Sequence, residues 1–190
     1  MNDPAALIAL AQSLGTAKVL CVGDMVLDHY RHGVVERISP EAPIPILSVE
    51  REDAMLGGAG NVMRNLASLG AQVRCVSVVG DDAPGTEIGR LLSDIGVSTR
   101  HLIKDGGRRT STKARYLAAG QQILRADFET VAPLAPDIRE RLLDAAAKAM
   151  RGCSVVVLSD YGKGTLADGV AGELITLARE AGKVVIVDPK

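Results

Sequence analysis

Neither charge sign predominates in the 190 residues: 22 Lys and Arg stand against 23 Asp and Glu, a net charge of -1. Without a basic excess there is no long-range attraction to phosphate polymers or anionic lipid, so neither nucleic acid nor a membrane is an expected partner. No apolar run approaches bilayer-spanning length, and no Lys or Arg precedes Lys18, so the opening lacks the basic start of a secretory signal. A soluble cytoplasmic protein is the expectation. Cysteine is scarce too. Cys21, Cys75 and Cys153 are widely spaced within or beside apolar strand-like runs and read as reduced core residues rather than disulfide partners. His29, His32 and His101 have neither a Cys pair nor a His-Glu-x-x-His helix beside them, which excludes a recognisable zinc pattern, and no metal site is expected. Repeats and low-complexity linkers are absent as well.

What is present is an alternation. A hydrophobic fraction of 47% over this length suits one domain, or one large lobe of something bigger. Asp3-Pro4 reads as a cap and first helical position, with a short amphipathic helix over Ala5 to Leu14. Strands are expected at 18–22, 73–79, 155–158 and 184–187, and helices at 61–69, 86–95, 138–150 and 171–181. Gly70, Gly96, Gly152 and Gly182 stand where helices should stop in left-handed caps. Short all-apolar strands separated by amphipathic helices predict an α/β fold, with a mainly parallel sheet covered on both faces.

Two segments break the rhythm. Residues 43–49 and 110–127 are strand-like with no helix between them, and Ala119-Gly120 reads as the turn of a hairpin. If its register is preserved, Lys113, Arg115, Gln122 and Arg125 share one face. Such a face is solvated surface in isolation, but as a lid over a binding site it becomes an anion clamp suited to a sugar phosphate. The segment for it to cover is Gly57-Gly58-Ala59-Gly60-Asn61: the glycines permit close backbone approach, and the amide of Asn61 both donates and accepts hydrogen bonds. A tight turn with a helix cap is the plainer alternative. Carboxylates also follow the expected strand ends, at Asp24 with Asp28 beyond it, at Asp160, and at Asp188 in Asp188-Pro189-Lys190. In parallel α/β sheets that edge is where ligands bind, although a carboxylate there also caps the next helix.

Gly57 to Asn61, with Gly70 and Gly80 further on, resembles the first signature of the ribokinase-like (PfkB) carbohydrate kinases, with Met63 replacing the small residue usual there. The strings 23–28, 37–43, 121–127 and 158–164 are similar to the heptose 7-phosphate kinase branch of that family, and the likeness spans about residues 18 to 190. The resemblance implies a three-layer α/β/α sheet with a small β-strand lid, over about 33–56 and 108–128. It implies ATP-dependent phosphorylation, with magnesium, of the anomeric hydroxyl of D-glycero-β-D-manno-heptose 7-phosphate. Asp24, Asp28, Gly57, Gly58 and Asn61 would hold sugar hydroxyls. Lys113, Arg115, Gln122 and Arg125 would face the sugar or its 7-phosphate, Asp160 would border the acceptor, and Lys190 would approach the transferred phosphate. A homodimer through the lids is implied too.

The departure from the family lies at the end. Its Asn-x-x-Glu segment and its Gly-Ala-Gly-Asp segment, which bears the catalytic aspartate, are not among these residues. No catalytic residue is therefore assigned, no ATP or magnesium site is expected within this chain alone, and the expectation is a sugar-binding part that does not turn over. Another ribokinase-like sugar kinase, or a non-catalytic sugar-phosphate-binding interaction protein, remains an alternative. So does a dinucleotide-dependent oxidoreductase, although neither a Walker motif nor the third glycine of a dinucleotide fingerprint is present.

Overall fold

The computed structural model describes residues 4–190; Asp3, the expected cap of the first helix, lies outside them. Helix α1, Pro4–Ser13, leads into β1, Lys18–Gly23, and then two long strands, β2, Met25–Ile38, and β3, Pro45–Gly58. Helix α2, Ala59–Ser68, precedes β4, Gln72–Gly80, α3, Ala83–Asp94, and β5, Leu102–Asp105. The hairpin β6, Ser111–Ala118, and β7, Gln121–Phe128, follows, then α4, Pro136–Met150, β8, Val155–Ser159, α5, Val170–Glu180, and β9, Val184–Asp188.

These elements form two sheets. The larger is wholly parallel in the order β5-β4-β1-β8-β9, and the smaller runs β3-β2-β6-β7. In β1, Leu20 and Val22 face a core completed by α4 and α5, while Val19 and Cys21 face a second core completed by α2 and α3. Burial on both faces is why this strand carries no polar alternation. Each fully buried Leu or Val contributes about 1.5–3 kcal/mol of transfer free energy. Met63 fills space in the α2/α3 core and is completely buried. The three cysteines are free and buried, and burial pushes the Cys21 thiol up to about 12. All four cap glycines have positive φ.

Several expectations need correction. Helix α1 forms, but Leu7, Ile8 and Leu10 are 55–64% exposed, so it buries no apolar face among the described residues. Strand β5 was not expected, and α3 starts at Ala83 because Asp82 caps it, its carboxylate accepting the Gly85 N–H at 2.8 Å. The largest difference is β2. Asp24 alone separates it from β1, so Asp28 lies within a strand of the smaller sheet instead of on a loop at the end of the first strand.

The hairpin turns at Ala119-Gly120, both with positive φ, as a two-residue connection of this hand requires. No helix among the described residues is long and apolar enough to cross a membrane.

Candidate functional site: a charged sheet face above the strand ends

In the smaller sheet the register sets Asp28 beside Lys113, Tyr30 beside Arg115 and His32 beside Leu117, and across β6 it sets Lys113 beside Asp127 and Arg115 beside Arg125. Cross-strand partners share a face, so Asp28, Lys113, Arg115 and Arg125 lie together. Gln122 is three residues from Arg125, an odd spacing that would turn it to the opposite face of a regular strand. A register shift at Tyr116/Leu117 pairs Gln122 with Leu117 and returns it to the same face. The four lid residues are thus gathered because the register breaks.

Arg115 donates to Asp28 at 2.5 Å, each side chain being 19% exposed, and its guanidinium lies 5.1 Å from the Tyr30 ring centroid. Burial works against the charge on Arg115, but the hydrogen bond and field of Asp28 outweigh it and raise its pKa further. Lys113 is partly buried and has no ion-pair partner among the described residues. Arg125 is bound through two nitrogens to Asp127, at 2.8 and 3.0 Å.

Gly57 lies against Asp28: a Cβ there would come within 2.3 Å of Oδ2. Gly58 has φ +56°, and its missing Cβ would meet the Asp24 carbonyl oxygen at 2.4 Å. The two glycines therefore serve separate purposes, one admitting a carboxylate and the other a turn into α2. Asn61, in the first turn of α2, accepts from Arg64 Nη2 at 2.8 Å and retains its amide donors.

The strand ends Gly23, Ser159 and Asp188 stand in register at one edge of the larger sheet. Beyond them, the Asp160 N–H donates to the Asp188 carbonyl, and the Asp160 carboxylate accepts the Gly162 N–H at 2.7 Å. Lys190 lies over Gly162, where a Cβ would be 2.6 Å from its Cδ. Asp160 and Lys190 thus share this edge.

Asp24 stands apart from the expected set. It is 1% exposed, and its carboxylate accepts N–H groups from Tyr161, Lys163 and Thr165 at 2.9, 2.9 and 3.0 Å. This carboxylate is committed to protein amides instead of being presented to a sugar. Sequence reasoning gave no role to Lys163 and Glu129, which pair at 2.5 Å, or to Tyr30 beneath Arg115; Lys163 lies in the noted 158–164 string, but no motif marks Glu129 or Tyr30.

A cavity of about 880 Å³ opens on the other face of β2 and β6, where His29, Arg31 and Tyr116 face the start of α3. None of the expected site residues lines it. Its charges are largely spoken for: Asp81 pairs with Lys104, Glu87 with Arg90, and Arg31 lies over Tyr116. The uncommitted Lys113 and the Asp28–Arg115 pair make the opposite face the better candidate.

Residues 16–190 match the pfkB family carbohydrate kinases. The chain belongs to that family. It is 51% identical over 190 residues to the bifunctional protein HldE of Paramagnetospirillum magneticum, and 53% identical over 189 residues to that of Acidiphilium cryptum. In each case all of this chain aligns with 39% of the relative, so it spans well under half the length of these proteins. The fold also matches Arabidopsis thaliana ribokinase complexed with ribose and ATP, at a TM-score of 0.62 and 19% identity over 90% of this chain and 53% of that one. The ribokinase-like fold follows, and family membership sets aside the dinucleotide-dependent oxidoreductase.

Proposed function

We propose that this chain is the sugar-phosphate-binding part of an ATP-dependent kinase. The kinase transfers phosphate to the anomeric hydroxyl of D-glycero-β-D-manno-heptose 7-phosphate, forming the 1,7-bisphosphate in cytoplasmic ADP-heptose and lipopolysaccharide core synthesis. The carrying observation is the Asp28–Arg115 pair, set against the bare Gly57 with the uncommitted Lys113 on the same face. Asp28 offers lone pairs to neighbouring sugar hydroxyls, and Arg115 holds it in position. Lys113, and Arg125 once it exchanges Asp127 for a ligand, supply charge to the 7-phosphate, while Gln122 and Asn61 match hydroxyls as donor or acceptor. Gly57 gives the Asp28 carboxylate its place beside the sugar and Gly58 the turn that brings Asn61 to it, Asp160 borders the acceptor hydroxyl, and Lys190 lies toward the incoming phosphate.

Catalysis in such an arrangement is alignment of acceptor and γ-phosphate with water excluded by the smaller sheet acting as a lid. The ATP expectation is supported by the ATP-bound ribokinase of the same fold. No group of three His, Cys, Asp or Glu residues that could hold a metal occurs among the described residues, so no step is assigned to magnesium here. Self-association through the lid is part of this reading, because β7 is an edge strand bearing the exposed Ile123, Leu124 and Phe128.

A non-catalytic sugar-phosphate-binding role is the second reading, because the contacts offered by Asp28, Arg115 and Lys113 need no transfer chemistry. The deciding experiment is calorimetric titration of the folded chain with D-glycero-D-manno-heptose 7-phosphate, with fructose 6-phosphate as competitor, followed by addition of ATP. Selective heptose binding without turnover is expected. Absence of binding to either sugar overturns the proposed site, and turnover overturns its restriction to binding.

A further inference from the structure

Four chain crossings join the smaller sheet to the larger one, and all four meet in one hydrogen-bonded hub. The first is Asp24 itself, between β1 and β2. The second, from β3 into α2, is tied to it by the Ala59 N–H donating to the Asp24 carbonyl at 2.9 Å. The fourth, residues 129–135 between β7 and α4, is gripped at its start by Lys163, whose Nζ lies 2.5 Å from Glu129 Oε2, with the two side chains 16% and 25% exposed. The backbone N–H of that same Lys163 donates to the Asp24 carboxylate. The third crossing, residues 106–110 between β5 and β6, is bound to the fourth: Arg109 N–H donates to Thr130 Oγ1, and Arg108 donates to the Ala132 and Pro133 carbonyls. Arg108 is itself held by Asp105 at 3.1 Å, the side chains being 8% and 13% exposed.

We infer that Asp24 is a positioning residue which, through the 161–165 loop and the Lys163–Glu129 pair, fixes the smaller sheet at a set angle over the strand ends. A buried carboxylate with three amide donors is a strong and local restraint, because replacing it leaves three N–H groups without an acceptor. The loop it holds begins at Asp160, which the proposed function sets beside the acceptor hydroxyl. One carboxylate therefore controls both the sugar-bordering loop and the hinge of the lid. The consequence for sugar affinity rests on the proposed function, whereas the restraint on the hinge does not.

The test is backbone hydrogen exchange on the full 190-residue chain, comparing wild type with Lys163→Met, Glu129→Gln and the double variant. Either single change is expected to speed exchange across residues 111–128 about tenfold, the loss of one charge-assisted hydrogen bond. Exchange in β1, β4 and β8 stays as in the wild type, the double variant is no faster than either single one, and Lys163→Arg keeps near-wild-type rates. Unchanged exchange in 111–128, or a rise spread evenly over the larger sheet, overturns the inference. Asp24→Asn is expected to add faster exchange at 161–165; if it does not fold, the Lys163 and Glu129 variants decide alone. Heptose 7-phosphate titration of the same proteins separates the two claims. A wild type that binds no sugar refutes the proposed function and leaves the exchange result to decide the hinge, and Lys163→Met binding as tightly as wild type refutes the coupling.

Discussion

Replacing Gly57 by alanine tests the site at its narrowest point. The new methyl would sit 2.3 Å from Asp28 Oδ2 and 3.0 Å from its Cγ, so the carboxylate must retreat by roughly 1 Å to reach ordinary van der Waals separation. Its 2.5 Å contact with Arg115 cannot survive that movement unchanged. A hydrogen bond between charged groups at this degree of burial is worth about 1.5–3 kcal/mol. Gly57 does not have positive φ, so alanine also returns about 0.4–1 kcal/mol by restricting the unfolded chain. The net expected loss is about 0.5–2.6 kcal/mol, a fall in Tm of about 1–10 °C for a domain of this size. Thermal unfolding followed by circular dichroism measures it, and sugar titration of the same sample should show weakened binding. Gly58→Ala is the control. Its obstacle is the Asp24 backbone oxygen at 2.4 Å, which cannot swing away, and its φ of +56° adds about 1–2 kcal/mol of strain, so its loss should be the larger. A Gly57→Ala protein that melts at or above the wild-type temperature would refute the placement of Asp28 against this glycine.

Thr110→Val removes the hydroxyl that donates to Asp82 Oδ1 at 2.6 Å and accepts from Gly80 N–H; urea unfolding at pH 7 should show a loss of about 1–3 kcal/mol, and an unchanged midpoint would remove Thr110 from the anchoring of β6. Burial alone would push Asp82 up, but the Thr110 hydroxyl, the Thr110 amide and the Gly85 amide together hold its carboxyl below the usual aspartate range. Stability from this group is therefore present above the unfolded value of about 3.9 and is lost as the pH falls through the lower folded value, so the deficit of Thr110→Val should shrink in acid; a deficit that stays constant down to pH 2 contradicts that assignment. Leu124→Glu places a charge on an edge-strand side chain that is 57% exposed, and sedimentation equilibrium should show a shift toward monomer, whereas an unchanged mass would exclude this edge from self-association.

Much of the larger sheet was readable because β1, β8 and most of β4 are buried on both faces, whereas β9 was readable from its all-apolar run although it is largely exposed. Runs such as Val19 to Val22 and Val155 to Leu158 have no solvent face to encode, and the glycines after their helices mark the stops. Strand β2 was not readable, because Asp28, His29, Tyr30, Arg31 and His32 are all only partly buried, and a ribbon polar on both faces has no period-two signal. The four-residue β5 was too short to register. At the candidate site, the glycine segment and the shared face of Lys113, Arg115 and Arg125 could be anticipated from sequence. The division of labour between Asp24 and Asp28 could not: both are aspartates near a strand end, and only the arrival of three amides from the distant 161–165 loop makes one of them structural. The Lys163–Glu129 pair is likewise a product of tertiary placement.

The register break beside Ile123 also divides the hairpin into two parts that can change separately. Residues on the turn side of it take their facing from the break, whereas Lys113, Arg115 and Arg125 take theirs from uninterrupted pairing toward the root. Deleting residue 123 would remove the break and leave Gln122 two positions from Arg125, still on the charged face, whereas pairing straight through residue 123 would turn Gln122 away and leave the charged root in place. Gain or loss of the break is therefore a route by which ligand preference could diverge among related chains without disturbing the larger sheet.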